Sequence, residues 1–90
     1  MDFFFGIGEC GLDYYRMRQL RYVQINSFAF QISLAKQYGL PLILHIRAAM
    51  KDAFEILQSQ SPVWGIMHCF AGDRDDAKKA MNAGFYISFA

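Results

Sequence analysis

The sequence predicts an α/β fold in which about four parallel strands alternate with helices. Four apolar runs of strand length follow one another, at residues 3–8, 41–44, 63–67 and 85–89, and three segments with helical periodicity lie between them. The first three runs are apolar almost throughout, which is typical of parallel strands covered on both faces. The order βαβαβαβ implies right-handed crossovers and a single parallel sheet.

Each helical segment combines apolar residues at helical spacing with a residue that ends it. The first ends at Gly39, which suits a left-handed cap, and the second ends before Pro62. Asp73 is expected to cap the third segment, and Gly84 ends it. The apolar positions are Ile25, Phe28, Ala29, Ile32 and Ala35 in the first segment, Met50, Ala53, Phe54 and Leu57 in the second, and Ala77, Ala80 and Met81 in the third.

Composition limits the possible classes of protein. The chain is 54% hydrophobic, and 90 residues bury only a modest share of their surface, which indicates missing neighbours. A net charge of +1 creates no overall field for nucleic acid or membranes. No apolar run is long enough for a membrane span, and no secretory signal is visible. Because Cys10 and Cys69 are isolated, we expect free thiols and a cytoplasmic protein, or a nuclear one in a eukaryote.

Three potential metal ligands, Glu9, His45 and His68, follow the first three apolar runs. The carboxyl ends of parallel strands meet at one edge of a sheet, where ligands usually bind. A carboxylate and two imidazoles suit zinc or manganese, and a further carboxylate would suit magnesium. Taken singly, each residue is more often structural or solvated, so the residues alone predict a metal site without choosing its reaction.

Four sequence motifs resemble those of the TatD family of metal-dependent deoxyribonucleases. Residues 8–15, GECGLDYY, resemble its G-E-[IC]-G-L-D-[YF] signature, and residues 40–47, LPLILHIR, are similar to its L-P-x-x-x-H-x-R segment. Residues 68–72, HCFAG, and 84–88, GFYIS, resemble its H-C-F-[ST]-G and G-x-Y-I-S segments. The motifs stand in family order and cover nearly the whole chain.

This resemblance implies a TIM barrel of the amidohydrolase type with two divalent metal ions, Mg, Mn or Zn, at its C-terminal mouth. It implies that Glu9 is the catalytic carboxylate that contacts both metals, and that His45 and His68 bind one of them. DNA is the implied substrate, hydrolysed commonly from the 3′ end. Two metals can stabilise both the attacking and the leaving oxygens of such an in-line displacement.

The sequence also departs from the family pattern. The H-x-H pair of the family's first strand and the Asp of its last strand are both absent. His45 and His68 are the only histidines, so no H-x-H pair can exist. Ala48 stands where the family usually has Asp. A complete barrel has eight strands in about 250 residues. Residues 1–90 are therefore expected to be an internal fragment, roughly the third to sixth strands, with little or no activity alone.

Three further residues are candidates for supporting the metals or binding substrate. Asp13 is expected either to orient a metal-bound group or to act as a turn acid. Tyr14, like Tyr15, would stack on a base or lie partly buried under a loop. Arg47 would bind a substrate phosphate or pair with a buried acid.

A basic stretch with Arg16, Arg18 and Arg21 follows the first motif. It would contact phosphates or form the solvated start of a helix. Two rival functions remain: a non-catalytic truncated or assembly module, and an amidohydrolase-type enzyme acting on a small molecule. An unfinished barrel has open sheet edges, so self-association of the chain is expected.

Overall fold

The computed structural model describes residues 6–68 and 70–89, and four strands alternate with three helices in that part of the chain. All neighbouring strands are parallel and follow the order β1-β2-β3-β4. The predicted α/β class is therefore confirmed. The elements are β1 (Ile7–Asp13), α1 (Arg21–Tyr38), β2 (Leu42–Arg47), α2 (Met50–Ser59), β3 (Gly65–Met67), α3 (Arg74–Asn82) and β4 (Phe85–Ile87).

The predicted helix ends are confirmed. Gly39 caps α1 at a φ of 65°, and its N–H points to the carbonyls of Ala35 and Lys36. Asp73 caps α3 through a capping box in which its side chain and that of Asp76 each accept from the other's backbone N–H. These signals act within one turn of helix, so local sequence is enough to specify them.

The predicted strand ends need correction. The first strand was expected to end before Glu9, but β1 continues to Asp13, and its predicted start at residues 3–5 lies outside the described residues. Likewise, β2 continues through His45 to Arg47. Polar residues can continue a strand because they alternate with buried ones, so that the polar side chains share a single face. At the other end of the sheet, β4 stops at Ile87 rather than at residue 89.

The two faces of the sheet differ in burial. The helix-facing side carries residues that are almost fully buried against the helices. The opposite side, here called the open face, is partly exposed, with Ile66 41% and Tyr86 74% exposed. The buried strand residues are Cys10, Leu12, Leu42, Leu44, Ile46, Met67 and Phe85. By alternation and register, the open face carries Gly11, Asp13, Ile43, His45, Arg47, Ile66, His68 and Tyr86.

None of the helices within the described part of the chain combines the length and the apolar character that crossing a bilayer requires.

Candidate functional site

A β-bulge in β1 sets the position of Glu9. Gly8 pairs with Ile43 and Cys10 pairs with Leu44, so Glu9 is an extra residue without a register partner. A bulge of this kind re-aims a side chain at the rim of a sheet. Cys10 stays buried on the helix-facing side, whereas the Glu9 side chain is half exposed.

Glu9 lies beside His68 on the open face. Its Oε2 is 3.7 Å from Nε2 of His68, and the two side chains are 50% and 40% exposed. The backbone N–H of His68 donates to the carbonyl of Leu44 at 2.7 Å, so the parallel pairing of β2 and β3 extends one residue past Met67. This extension places His68 next to His45 in the sheet.

His45 pairs with Gly11 of β1 and shares a shallow cleft of about 210 Å³ with Glu9. In residues 6–68 and 70–89, no three His, Cys, Asp or Glu side chains form a group that could hold a metal ion. The structure thus brings Glu9 and His68 together and places His45 in the same cleft as Glu9. The assignment of all three as ligands stays a prediction.

Asp13 organises the turn that follows β1. Its Oδ1 accepts hydrogen bonds from the backbone N–H groups of Tyr15 and Arg16, each at 3.0 Å. These bonds, that of Arg16 first, lower the pKa of Asp13 against a desolvation effect, and the charges of Arg47 and His45 add to the lowering. The turn role is the one that the structure shows for this carboxylate.

Gln24, a residue that the sequence did not single out, fastens this turn to α1. Its Oε1 accepts from the backbone N–H of Asp13 at 2.8 Å, and its Nε2 donates to the carbonyls of Asp13 and Gln19 at 3.1 and 2.9 Å. The β1–α1 loop is therefore tied down at both ends. A lone glutamine near a helix start carries no sequence signal for such a role.

Tyr14 packs between the loop and α2 and is half-buried. Its hydroxyl donates to Oδ2 of Asp52 at 2.7 Å, and the Arg21 guanidinium lies 4.5 Å from its ring centre. Desolvation, the hydrogen bond to Asp52 and the charge of Asp52 raise the pKa of Tyr14 to about 12, while Arg21 opposes the shift. Of the two expectations for Tyr14, partial burial is confirmed.

Arg47 stacks on Tyr15, with its guanidinium 4.1 Å from the ring centre. Such cation–π stacking orients both side chains at the end of β2. Within residues 6–68 and 70–89, no salt bridge joins Arg47 to a carboxylate, and the expected pairing with a buried acid stays a prediction. Contact with a substrate phosphate remains a prediction.

Cys10 packs as a small apolar side chain. It is 6% exposed and free, and burial, followed by the charge of Glu9, raises the pKa of its thiol to about 12. The prediction of a free thiol at Cys10 is confirmed. Cys69 lies outside the described residues.

Comparisons with known proteins identify the family. The model of a family described as TatD related DNase matches residues 2–90. An uncharacterized metal-dependent hydrolase, YabD of Bacillus subtilis, is 44% identical over 85 residues, which cover 92% of this chain and 33% of the relative. A 3'-5' ssDNA/RNA exonuclease, TatD of Enterobacter lignolyticus, is 36% identical over 87 residues, which cover 90% of this chain and 32% of that protein.

The fold also matches solved structures. The crystal structure of YJJV, a TatD homolog from Escherichia coli K12, superposes with a TM-score of 0.84 at 31% identity. The match covers 91% of this chain and 32% of that structure. The chain therefore has the fold of part of a TIM barrel, and it spans about a third of the length of the relatives it matches.

Proposed function

The chain belongs to the TatD family of metal-dependent hydrolases, and from this premise we propose that it forms part of a nuclease with a two-metal site. In this proposal, residues 1–90 supply roughly the third to sixth strands of the barrel. Glu9, His45 and His68 contribute ligands from the open face of the sheet. The remaining ligands come from outside this sequence.

The observation that carries the proposal is the 3.7 Å approach of Glu9 Oε2 to His68 Nε2. The bulge in β1 directs the Glu9 carboxylate towards the open face. The backbone hydrogen bond from His68 to Leu44 extends the pairing of β3 with β2 and places the His68 imidazole beside it. A carboxylate oxygen and an imidazole nitrogen are donors that zinc and manganese accept, so the pair fits two positions of a divalent metal site. Bound metal ions would supply electrostatic stabilisation of an in-line phosphoryl displacement.

The residues around this pair have supporting roles. The side chains of Gln24 and Asp13 accept hydrogen bonds from backbone N–H groups of the loop beside Glu9 and so restrict its movement. Arg47 lies on the same face as His45, and in this proposal its guanidinium contacts a phosphate of the substrate. The Tyr15 ring stacks against the Arg47 guanidinium and limits its movement.

We propose DNA as the substrate, hydrolysed from a 3′ end in the cytoplasm, or in the nucleus of a eukaryote. The support is the relative from Enterobacter lignolyticus, whose name gives it 3'-5' exonuclease activity on single-stranded DNA and RNA. Since two-metal chemistry requires more ligands than Glu9, His45 and His68 provide, the 90-residue chain alone should show little or no digestion of DNA.

A chimaera with the Enterobacter lignolyticus exonuclease tests the proposal. Residues 1–90 replace the matching third of that enzyme, which restores a complete barrel around this chain's residues. We expect metal-dependent release of nucleotides from the 3′ end of single-stranded DNA. The activity should fall at least 100-fold on Glu9→Gln or His68→Ala, since losing a residue that only orients a metal ligand already costs about 10- to 100-fold and these two side chains are proposed to bind the metal directly.

Two controls make the result decisive. Glu55→Gln removes an exposed carboxylate of α2 and should leave the activity unchanged, and circular dichroism checks that each chimaera folds. A folded chimaera that digests DNA equally well without Glu9 and His68 would reject the site. A folded chimaera that hydrolyses only small-molecule esters or amides would favour the small-molecule alternative.

A further inference from the structure

The cleft beside Glu9 continues into a second cleft over the β1–α1 loop. The second cleft, here called the basic cleft, has a volume of about 390 Å³ and is lined by Asp13, Arg16, Arg18, Gln19 and Gln24. Asp13 and Gln24 also line the cleft that contains Glu9 and His45. A ligand at the candidate metal site can therefore extend along a surface that carries two guanidinium groups.

The arginines of this region fall into two classes. Arg21 and Arg47 are held over the rings of Tyr14 and Tyr15. In contrast, the side chains of Arg16 and Arg18 are exposed and make no hydrogen bond, ion pair or ring contact within residues 6–68 and 70–89. Their charges are consequently available to a ligand.

The loop that carries these two arginines is ordered by its own hydrogen bonds. The Asp13 carboxylate accepts hydrogen bonds from the backbone N–H groups of Tyr15 and Arg16. The Gln24 side chain accepts from the backbone N–H of Asp13 and donates to its carbonyl. A loop fixed in this way presents its side chains at a lower entropic cost on binding. The Asp13 charge is already engaged by these N–H groups, so it offsets the two guanidinium groups only in part.

We propose that the basic cleft binds the phosphodiester backbone of single-stranded nucleic acid, with Arg16 and Arg18 contacting phosphates beside the one at the metal site. The inference rests on the proposed nuclease function and names the part of the chain that holds the substrate strand. Guanidinium groups recognise phosphate oxygens through paired N–H donors. Backbone contacts of this type carry no preference for base sequence.

Binding without cleavage tests the inference on the 90-residue chain. The probe is fluorescein-labelled oligothymidylate of about 12 nucleotides, within the usual range of single-strand site sizes, and its anisotropy is titrated in EDTA. Each phosphate contact contributes about 0.7 to the slope of log affinity against log salt for single strands. Arg16→Gln/Arg18→Gln should therefore reduce the slope by about 1.4 and weaken binding roughly tenfold at low salt.

The matched control removes two positive charges elsewhere. Lys36→Gln/Lys79→Gln changes lysines in the last turns of α1 and α3, at the end of the sheet opposite the cleft, and should keep the parental slope. Arg16→Lys/Arg18→Lys keeps both positive charges, so this variant should keep most of the parental slope of log affinity against log salt. An abasic oligonucleotide should show the same loss with the glutamine variant, because the contacts are to the backbone.

A parental slope in the folded Arg16→Gln/Arg18→Gln variant, or no binding by the folded parent chain, would overturn the inference whatever the nuclease assay shows. An inactive chimaera combined with the expected loss of slope would overturn the nuclease proposal and leave the polyanion cleft established. The EDTA titration thus separates failure of the cleft from failure of the catalytic assignment.

Discussion

The two faces of the sheet differ in burial and in the residues they carry: one holds the hydrophobic core, and the other holds the proposed metal ligands. On the helix-facing side, Leu42 and Leu44 are 0% exposed and the contacts that bury them lie within the chain. On the open face, Ile66 and Tyr86 remain exposed beside His45 and His68. One face is covered by the helices of this chain, whereas the other is left partly exposed. The residues that keep the chain folded are therefore distinct from those proposed to bind metal.

The largest expected effect contrasts two neighbours in β2. Leu44→Ala on the helix-facing side should lower the free energy of unfolding by about 2–5 kcal/mol, because it leaves a cavity in the core. His45→Ala on the open face should cost less than about 1 kcal/mol without metal. Urea unfolding followed by circular dichroism measures both. Equal losses for the two variants would show that the open face is packed in solution.

Self-association through the open face should be the next largest effect. Ile66 and Tyr86 are exposed there, and β1 and β4 are the two edge strands of the sheet. We predict that the 90-residue chain forms dimers or larger species, since exposed edges and apolar patches favour association. Ile66→Lys/Tyr86→Lys should shift the mass measured by light scattering towards the monomer. A parent chain that is monomeric at high concentration would contradict this prediction.

A pH effect on the loop beside the open face should be smaller. The Tyr14 hydroxyl must stay protonated to donate to Asp52, and the pKa of Tyr14 is raised from 10.0 to about 12. Its contribution to stability is present below pH 10 and is lost as the pH rises towards 12. Tyr14→Phe should cost about 1 kcal/mol at pH 7 and remove this part of the pH dependence. Asp52→Asn, which removes the charged acceptor, should flatten the same pH range in urea titrations.

The smallest effect concerns the loop after β2. Ala48 has a φ of 55°, in the left-handed region that favours glycine, and its side chain is exposed. Ala48→Gly should stabilise the chain by about 0.5 kcal/mol, because relief of backbone strain exceeds the added entropy of the unfolded chain. Ala77→Gly, inside α3, should instead destabilise by about 1 kcal/mol. A lower melting temperature for Ala48→Gly would contradict this prediction, because it would show that the backbone of Ala48 is not strained by a left-handed conformation.

The element order and helix caps were predictable because their signals are local. Gly39 and Asp73 act on the adjacent turn of helix, and the apolar runs show the strands directly. The strand ends were not predictable, because a polar residue such as His45 can continue a strand when one sheet face is open. That openness arises from the three-dimensional arrangement of the strands, which no local pattern shows.

The site was predictable in its residue types and only partly in its geometry. The positions of Glu9 and His68 after apolar runs indicated one edge of the sheet, and the structure brings them together. The bulge that directs Glu9 has no clear sequence signal, since it arises from pairing with β2. The Tyr14–Asp52 hydrogen bond joins residues 38 positions apart, which no local pattern reveals.

Manganese binding by the 90-residue chain tests the central claim most directly. Manganese is chosen because oxygen and nitrogen ligands suit it better than thiolates, so Cys10 and Cys69 interfere little. Electron paramagnetic resonance measures free Mn²⁺ during titration of the parent, Glu9→Gln, His68→Ala and the control Glu55→Gln. We predict that the parent chain binds one ion, with affinity at least tenfold weaker in the first two variants and unchanged in the control. Equal affinity in all four proteins would contradict a metal site built on Glu9 and His68.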